Sequence, residues 1–540
     1  MKKRNIFFFL ALLCLFGKDL YGQEVAGHPP VPSAAEGAPV VVYGTVRADH
    51  EPDPIELTLF QFYTFNSRYA PGAQNVTLDY RQGNMMEGRT PNEKIFEYTF
   101  TDLKNLAYLS LSFGNDHSFL DRFAVLPGDT IEIYIDRRFS AIYFAGNASE
   151  RMELQHNIAL LDSREKIFRQ PVMVSAAPEK ILADPRFAER YEAHGKNGLR
   201  RMVFIEPGEG EINRLKSNYP LEEDLLTIQK MDLVMNSGLD DGLKAVLTDN
   251  ITASRFSSYL TLVNGTFQSA NLRRDSVQLD RLKELIRNRM QENITTLLGK
   301  TWHPDAIGPV DLFSQWANLV RKVEDISRYE AILQITSPQI RDRVAVDYFY
   351  NQYEFEDNAQ IQLEDYLNYT ADPFGERVLQ NLLALRKEGS KLKYFEFMDE
   401  SGHLYDTGKL LGKVTLLDFY IGGCGASKGF FEKAVLPLVQ HYGDREDFQV
   451  ITVSADRDET LWKESIQTGY YTSSSTVNLF TNDMAHAHPF LVNYGISGFP
   501  SKMVIGSDGR ILKSAGIPGS YEALKNIIDR ALNRSDQTYH

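Results

Sequence analysis

Val414-Thr-Leu-Leu-Asp-Phe-Tyr-Ile-Gly-Gly-Cys-Gly-Ala-Ser427, followed by Lys-Gly-Phe-Phe-Glu432, decides how the rest of the chain is read. Its first half is an apolar run short enough for a buried strand. Small residues then turn the chain, and Cys424 stands where a helix begins. Unpaired N–H groups and the helix dipole make such a position locally positive, which biases a thiol toward thiolate. A Cys-x-x-Cys pair would have its second thiol three residues on, where this sequence has Ser427.

Outward from that stretch, the remaining C-terminal pattern is mixed α/β. Phe395–Leu404 reads as a hairpin turning at Ser401-Gly402. The strand Val414–Tyr420 leads into a helix from Ala426 to His441, then a strand Phe448–Ser454 and a helix through Trp462. Val477–Phe480, a short helix near Phe490–Tyr494, a strand Lys502–Ile505, a turn at Ser507-Asp-Gly509 into Arg510–Ser514 and a helix Tyr521–Leu532 complete it. The alternation predicts a central sheet covered on both faces.

The chain is 540 residues long, which predicts several domains. With 43% apolar and 24% charged residues it has a globular composition, and a net charge of −14 argues against a nucleic-acid binder. Met1-Lys-Lys-Arg4, an apolar run from Ile6 to Phe16 and a small residue at Gly22 read as an export signal over 1–22. The run is too short to span a bilayer comfortably, and Leu13 before Cys14 argues against lipid attachment there. Cleavage would remove four cations (Lys2, Lys3, Arg4, Lys18) and one anion (Asp19), taking the net charge from −14 to −17. It would also leave Cys424 as the sole cysteine. A lone cysteine in an exported chain points to intermolecular chemistry or a reactive thiol.

Residues 23–39, with Pro29, Pro30, Pro32 and Pro39, read as a flexible tether. Residues 40–147 alternate as strands do: Ile55, Leu57 and Leu59; Leu109, Leu111 and Phe113; Ile131, Ile133 and Ile135, with a turn at Pro127-Gly128-Asp129. Six or seven short strands predict a β-sandwich-like domain, read as a scaffold or docking module. Over 148–385 the period becomes helical, with Leu279, Leu282, Ile286 and Met290 on one face and Leu312, Trp316, Leu319, Val320 and Val323 on another. Pro178, Pro220, Pro304, Pro338 and Pro373 divide this region, and no fixed-period repeat is present. Ser163-Arg-Glu-Lys166 matches a Ser-x-x-Lys motif without its companion motifs and is taken as coincidence.

Residues 386–540 resemble a thioredoxin-fold domain of the TlpA/ResA-like group, the exported thiol–disulfide proteins of bacterial envelopes. The resemblance is carried by Gly412-Lys413 before the strand, by Asp418-Phe-Tyr420 six residues ahead of Cys424, and by Val453-Ser-Ala-Asp456 with Trp462. Tyr494-Gly-Ile-Ser-Gly-Phe-Pro500 and Gly506-Ser-Asp-Gly509 extend it. Leu126-Pro-Gly-Asp129 resembles the N-terminal domain fused to such proteins in Bacteroidota-type envelopes.

The resemblance implies a cis peptide at Pro500 against the thiol, leaving the Phe499 backbone to pair with an extended peptide. It makes Asp418 the buried carboxylate that serves the resolving thiol. Here that thiol is Ser427, and the family's tryptophan before the first cysteine is Gly423. No intramolecular disulfide can form at this motif, which leaves Asp418 a structural remnant or a weak modulator of Cys424.

Three readings of Cys424 remain open: a monothiol nucleophile forming mixed disulfides, a relic in a binding module, and a peroxidatic thiol. Against the last, the arginine and threonine of a peroxide site are missing from Tyr420-Ile-Gly-Gly423. Ser427 either hydrogen-bonds the thiolate or is an ordinary polar residue of a first helical turn. His486 and His488 lack a third metal ligand and are read as surface or helix-entry residues.

The expectation is an exported, periplasmic or envelope-associated thiol–disulfide oxidoreductase-like protein without cofactor or metal. It would exchange or isomerise disulfides through Cys424 with Ser427, Asp418 and Pro500, and bind substrate at Gly423 and Phe499. Its partners would be envelope proteins bearing disulfides or thiols, or low-molecular-weight thiols. The alternative is a redox-inactive scaffold module of the cell envelope.

Overall fold

The computed structural model describes residues 29, 31, 37–50, 52–65, 71–83, 92–114, 118–196, 201–220, 224–324, 326–443 and 445–538. The export signal over 1–22 and most of the tether over 23–39 lie outside them. No helix among the described residues is long and apolar enough to cross a membrane.

Among the described residues the strand-rich region holds nine strands rather than six or seven: β1 (Val40–Arg47), β2 (Ile55–Phe60), β3 (Ala73–Leu78), β4 (Arg81–Gln82), β5 (Glu93–Phe100), β6 (Ala107–Phe113), β7 (Leu120–Val125), β8 (Thr130–Asp136) and β9 (Ala141–Ala145). They form a five-stranded sheet in the order β4-β5-β1-β8-β9 and a four-stranded sheet in the order β3-β2-β6-β7. The alternating residues read from sequence bury one core between the sheets: Ile55, Leu57, Leu59, Leu109, Leu111, Phe113, Ile131, Ile133 and Ile135 all point into it. Gly128 takes a positive φ of 85° in the turn before β8, and the Asp129 carboxylate closes that turn by accepting the Leu126 N–H at 2.6 Å.

The middle region is helical, and its prolines start helices as well as break them. Pro178, Pro338 and Pro373 occupy the first turns of Pro178–Leu182, Pro338–Gln352 and Pro373–Arg386. Its core runs on into Phe60, Phe62, Tyr63, Tyr108 and Leu126, so the helices pack against the four-stranded sheet. The mostly helical region also holds a two-stranded parallel sheet, β10 (Val172–Val174) with β11 (Val203–Ile205). Runs of three residues are too short to show a strand period.

The C-terminal sheet has six strands in the order β12-β15-β14-β13-β16-β17, comprising β12 (Met398–Asp399), β13 (Val414–Tyr420), β14 (Phe448–Ser454), β15 (Val477–Phe480), β16 (Ser501–Ile505) and β17 (Ile511–Lys513). β13 lies at its centre, parallel to β14 and antiparallel to β16, and all seven of its residues are buried. Apolar clusters cover the sheet on both faces. The predicted hairpin near Ser401 is smaller than expected: β12 has two residues, met by an isolated bridge from Leu404. The helix expected from Ala426 to His441 spans 425–442, with a π-helical turn at Phe431–Val435 just before Pro437. Proline has no N–H to continue the α ladder, which is a local reason for the wider turn.

Candidate functional site

β13 delivers the chain to the end of the sheet, and the turn Ile421–Gly423 reverses it into the helix that starts at Gly425. Two side chains hold that turn. The Asp456 carboxylate accepts the Gly422 N–H at 2.9 Å and the Ser454 hydroxyl at 2.6 Å. The Tyr471 hydroxyl accepts the Gly423 N–H at 2.9 Å, while its ring stacks on Tyr420. Gly423 has φ of 79°, a conformation that side chains other than glycine rarely adopt.

Cys424 is the N-cap residue of the helix Gly425–Phe430 and a free, half-buried thiol. Burial presses its pKa upward, but the Ser427 hydroxyl and the backbone N–H groups of Ser427 and Ala426 outweigh it, so the net shift is downward. Ser427 is 2% exposed, and its Oγ makes no conventional hydrogen bond among the described residues, so the hydroxyl can turn to the sulfur. The Phe499–Pro500 peptide is cis, and Cys424 Sγ lies 3.8 Å from the Phe499 carbonyl oxygen. The structure thus gathers Cys424, Ser427, Gly423, Phe499 and Pro500 around one sulfur.

Asp418 sits deeper, on β13, between Thr452 of β14 and Lys502 of β16. It is 1% exposed with Oδ1 lacking a hydrogen-bond partner among the described residues, and burial holds its pKa well above the carboxylate range; Lys502 opposes that shift and Glu354 adds to it. Glu354 comes from the 3-10 turn Tyr353–Phe355 of the helical region and accepts a hydrogen bond from Ser501. The buried Lys502 is pushed down by desolvation, and its ammonium lies 4.9 Å from the centre of the Phe430 ring. Three buried ionisable groups therefore meet beneath the thiol's helix, one of them from outside the C-terminal sheet.

His486 and His488 do not act together. His488 accepts the Phe490 N–H at its Nδ1, capping the helix Pro489–Asn493, and its Nε2 lies 3.0 Å from the Glu396 carbonyl. His486 instead packs against Phe499. Tyr471 and Glu354 went unread in the sequence. Glu354 carries no local signal, and Tyr471 lies 48 residues from the glycine it binds.

Residues 412–511 match the thioredoxin-like family model, so this part of the chain is a thioredoxin-like domain. It is similar to solved structures of the thioredoxin domain of a thiol-disulfide oxidoreductase from Bacteroides vulgatus (24% identity, TM-score 0.23, covering 26% of this chain and 96% of that one). It is similar also to a putative thiol:disulfide interchange protein DsbE from Chlorobium tepidum (23%, TM-score 0.24, 27% and 99%). A third is a thiol:disulfide interchange protein from a Bacteroides species (25%, TM-score 0.23, 27% and 91%). No curated protein matches the chain.

Proposed function

We propose that the chain is an exported, envelope-associated protein that exchanges or isomerises disulfides through the single thiol of Cys424. The observation that carries this reading is a thiol with a lowered pKa at a helix start, 3.8 Å from the Phe499 carbonyl, with a hydroxyl where a second thiol would stand. In the proposed step the Cys424 thiolate attacks one sulfur of a substrate disulfide. A Cys424–substrate S–S bond forms, the substrate S–S bond breaks, and the departing sulfur leaves as a thiolate. That thiolate, or an external thiol, then attacks the mixed disulfide and restores Cys424. Isomerisation is net redox-neutral. Ser427 cannot release the adduct, because a hydroxyl is not ionised at ambient pH, and Asp418 has no resolving thiol to deprotonate.

Gly423, in place of a bulky residue, leaves the face of the thiol open, and Phe499 offers main chain beside it for an extended substrate. The test is the rate of thiol alkylation of the whole chain against pH. An activated thiolate gives a midpoint below the ordinary thiol value of about 8.5; a midpoint at or above it would falsify activation and leave the redox-inactive scaffold reading.

A further inference from the structure

Between the helix Pro489–Asn493 and β16, residues 494–500 form neither helix nor strand, yet they carry Phe499 to the thiol. A segment without regular structure is only as well placed as the groups it is tied to. Its own domain holds it near both ends. The Ile496 N–H donates to the Leu491 carbonyl at 2.8 Å, and Ser501 pairs with Phe419 of β13.

Further ties come from the helical region. Arg386 Nε donates to the Tyr494 carbonyl at 2.5 Å. Gly495 lies so close to Tyr350 that a Cβ there would stand 2.9 Å from its ring. The Ser497 hydroxyl donates to Asn351 Oδ1 at 2.6 Å, and the Asn351 amide is itself fixed on the Asp347 carboxyl at 2.9 Å. The Ser501 hydroxyl donates to the buried Glu354 carboxylate, while the Glu354 carbonyl accepts the Gly516 N–H at 2.9 Å. The helical region thus backs the segment along its length. The opposite face is bare: a Cβ added at Gly423, Gly425 or Gly498 would meet nothing within 4 Å, which leaves room for a chain lying across the sulfur.

We propose that the helical region is part of the Cys424 site, with Glu354 acting through Ser501 and Asn351 through Ser497 as positioning residues. They hold the Phe499 main chain in register with the sulfur, so that the preferred substrate is a disulfide on an extended peptide. This rests on the reading of Cys424 as an exchanging thiol.

The probe is an extended peptide whose cysteine carries a coloured aromatic thiol in mixed disulfide, given to the full chain at neutral pH. The Cys424–peptide S–S bond forms, the peptide–aromatic S–S bond breaks, and the aromatic thiolate departs and is read by absorbance. Iodoacetamide, which needs no main-chain contact, is the control. Glu354→Ala is expected to slow the peptide reaction about fivefold or more and to change alkylation by no more than about twofold. Glu354→Gln, whose amide oxygen can still accept from Ser501, should restore most of the peptide rate. Ser501→Ala should match Glu354→Ala, with losses that do not add in the double variant. Asn351→Ala, at a half-buried position, should show the same split and decides the matter if Glu354→Ala does not fold. A parental peptide rate in a folded Glu354→Ala or Asn351→Ala variant overturns the proposal. So does an equal fall in both reactions, additive losses, or no rescue by Glu354→Gln. A parent that is alkylated but never releases the aromatic thiolate fails at the thiol chemistry itself, before any variant is compared, and the proposal falls with it.

Discussion

Ser427→Ala removes the hydroxyl that opposes burial at Cys424 and nothing else of consequence. Ser427 is fully enclosed, and its Oγ has no conventional partner to be orphaned, so the fold should tolerate the change with little loss of stability. The effect falls on the sulfur. A hydrogen bond to a charged group contributes about 1.5–3 kcal/mol when dry, and solvent reaching the half-buried thiol reduces this to roughly 1 kcal/mol. That corresponds to about a fivefold smaller thiolate fraction at a fixed pH below the midpoint.

The alkylation rate should fall less than fivefold, because a more basic thiolate is also a better nucleophile. With a Brønsted coefficient near 0.4–0.5, roughly half of the logarithmic loss is recovered, leaving about a two- to threefold slower reaction at pH 6–7. At high pH, where both proteins are fully ionised, the variant should be the faster of the two. Iodoacetamide kinetics over pH 5–10 would show the crossing. Superimposed profiles, or a variant midpoint below that of the parent, would refute the assignment of Ser427 as a thiolate partner.

Asp418→Asn should stabilise the protein toward urea at pH 7–8. Its carboxyl is held protonated in the folded state by burial, whereas the unfolded chain ionises it near 3.9. That contribution is fully present below the unfolded pKa and is lost as pH rises toward the raised folded value. The variant's advantage should therefore vanish near pH 4, and an equal advantage at both pH values would contradict this. Arg386→Met should destabilise by about 2–4 kcal/mol. The buried guanidinium donates to the Tyr494 and Ser514 carbonyls at 2.5 and 3.1 Å, joining the helical region to the C-terminal domain. Its loss should also expose Cys424 to faster alkylation in mild denaturant than in the parent.

The C-terminal domain was legible because its strands are written locally. Val414–Tyr420, Phe448–Ser454 and Val477–Phe480 are short, largely apolar runs bounded by turn residues, and each is a strand over just those residues. The sandwich interior was legible for the same reason, through period-two alternation. What could not be read was what the chain brings together from afar. Glu354 reaches Ser501 across 147 residues, and nothing around Tyr353–Phe355 marks that glutamate as buried. The π-helical turn at Phe431–Val435 did have a signal in Pro437, which a purely periodic reading of the helix passes over. Within the site, the residue types at Cys424, Ser427 and Pro500 were visible in order, while the hold of Tyr471 and Asp456 on the turn emerges only from the fold.

The most direct measurement is intact-mass analysis of the chain isolated from its native cells without reductant, beside Cys424→Ala. A monothiol that exchanges disulfides should carry one covalent partner at Cys424, stable until an external thiol is added, and Cys424→Ala should carry none. A chain recovered wholly as free thiol, and inert toward an added disulfide peptide at neutral pH, would contradict the account.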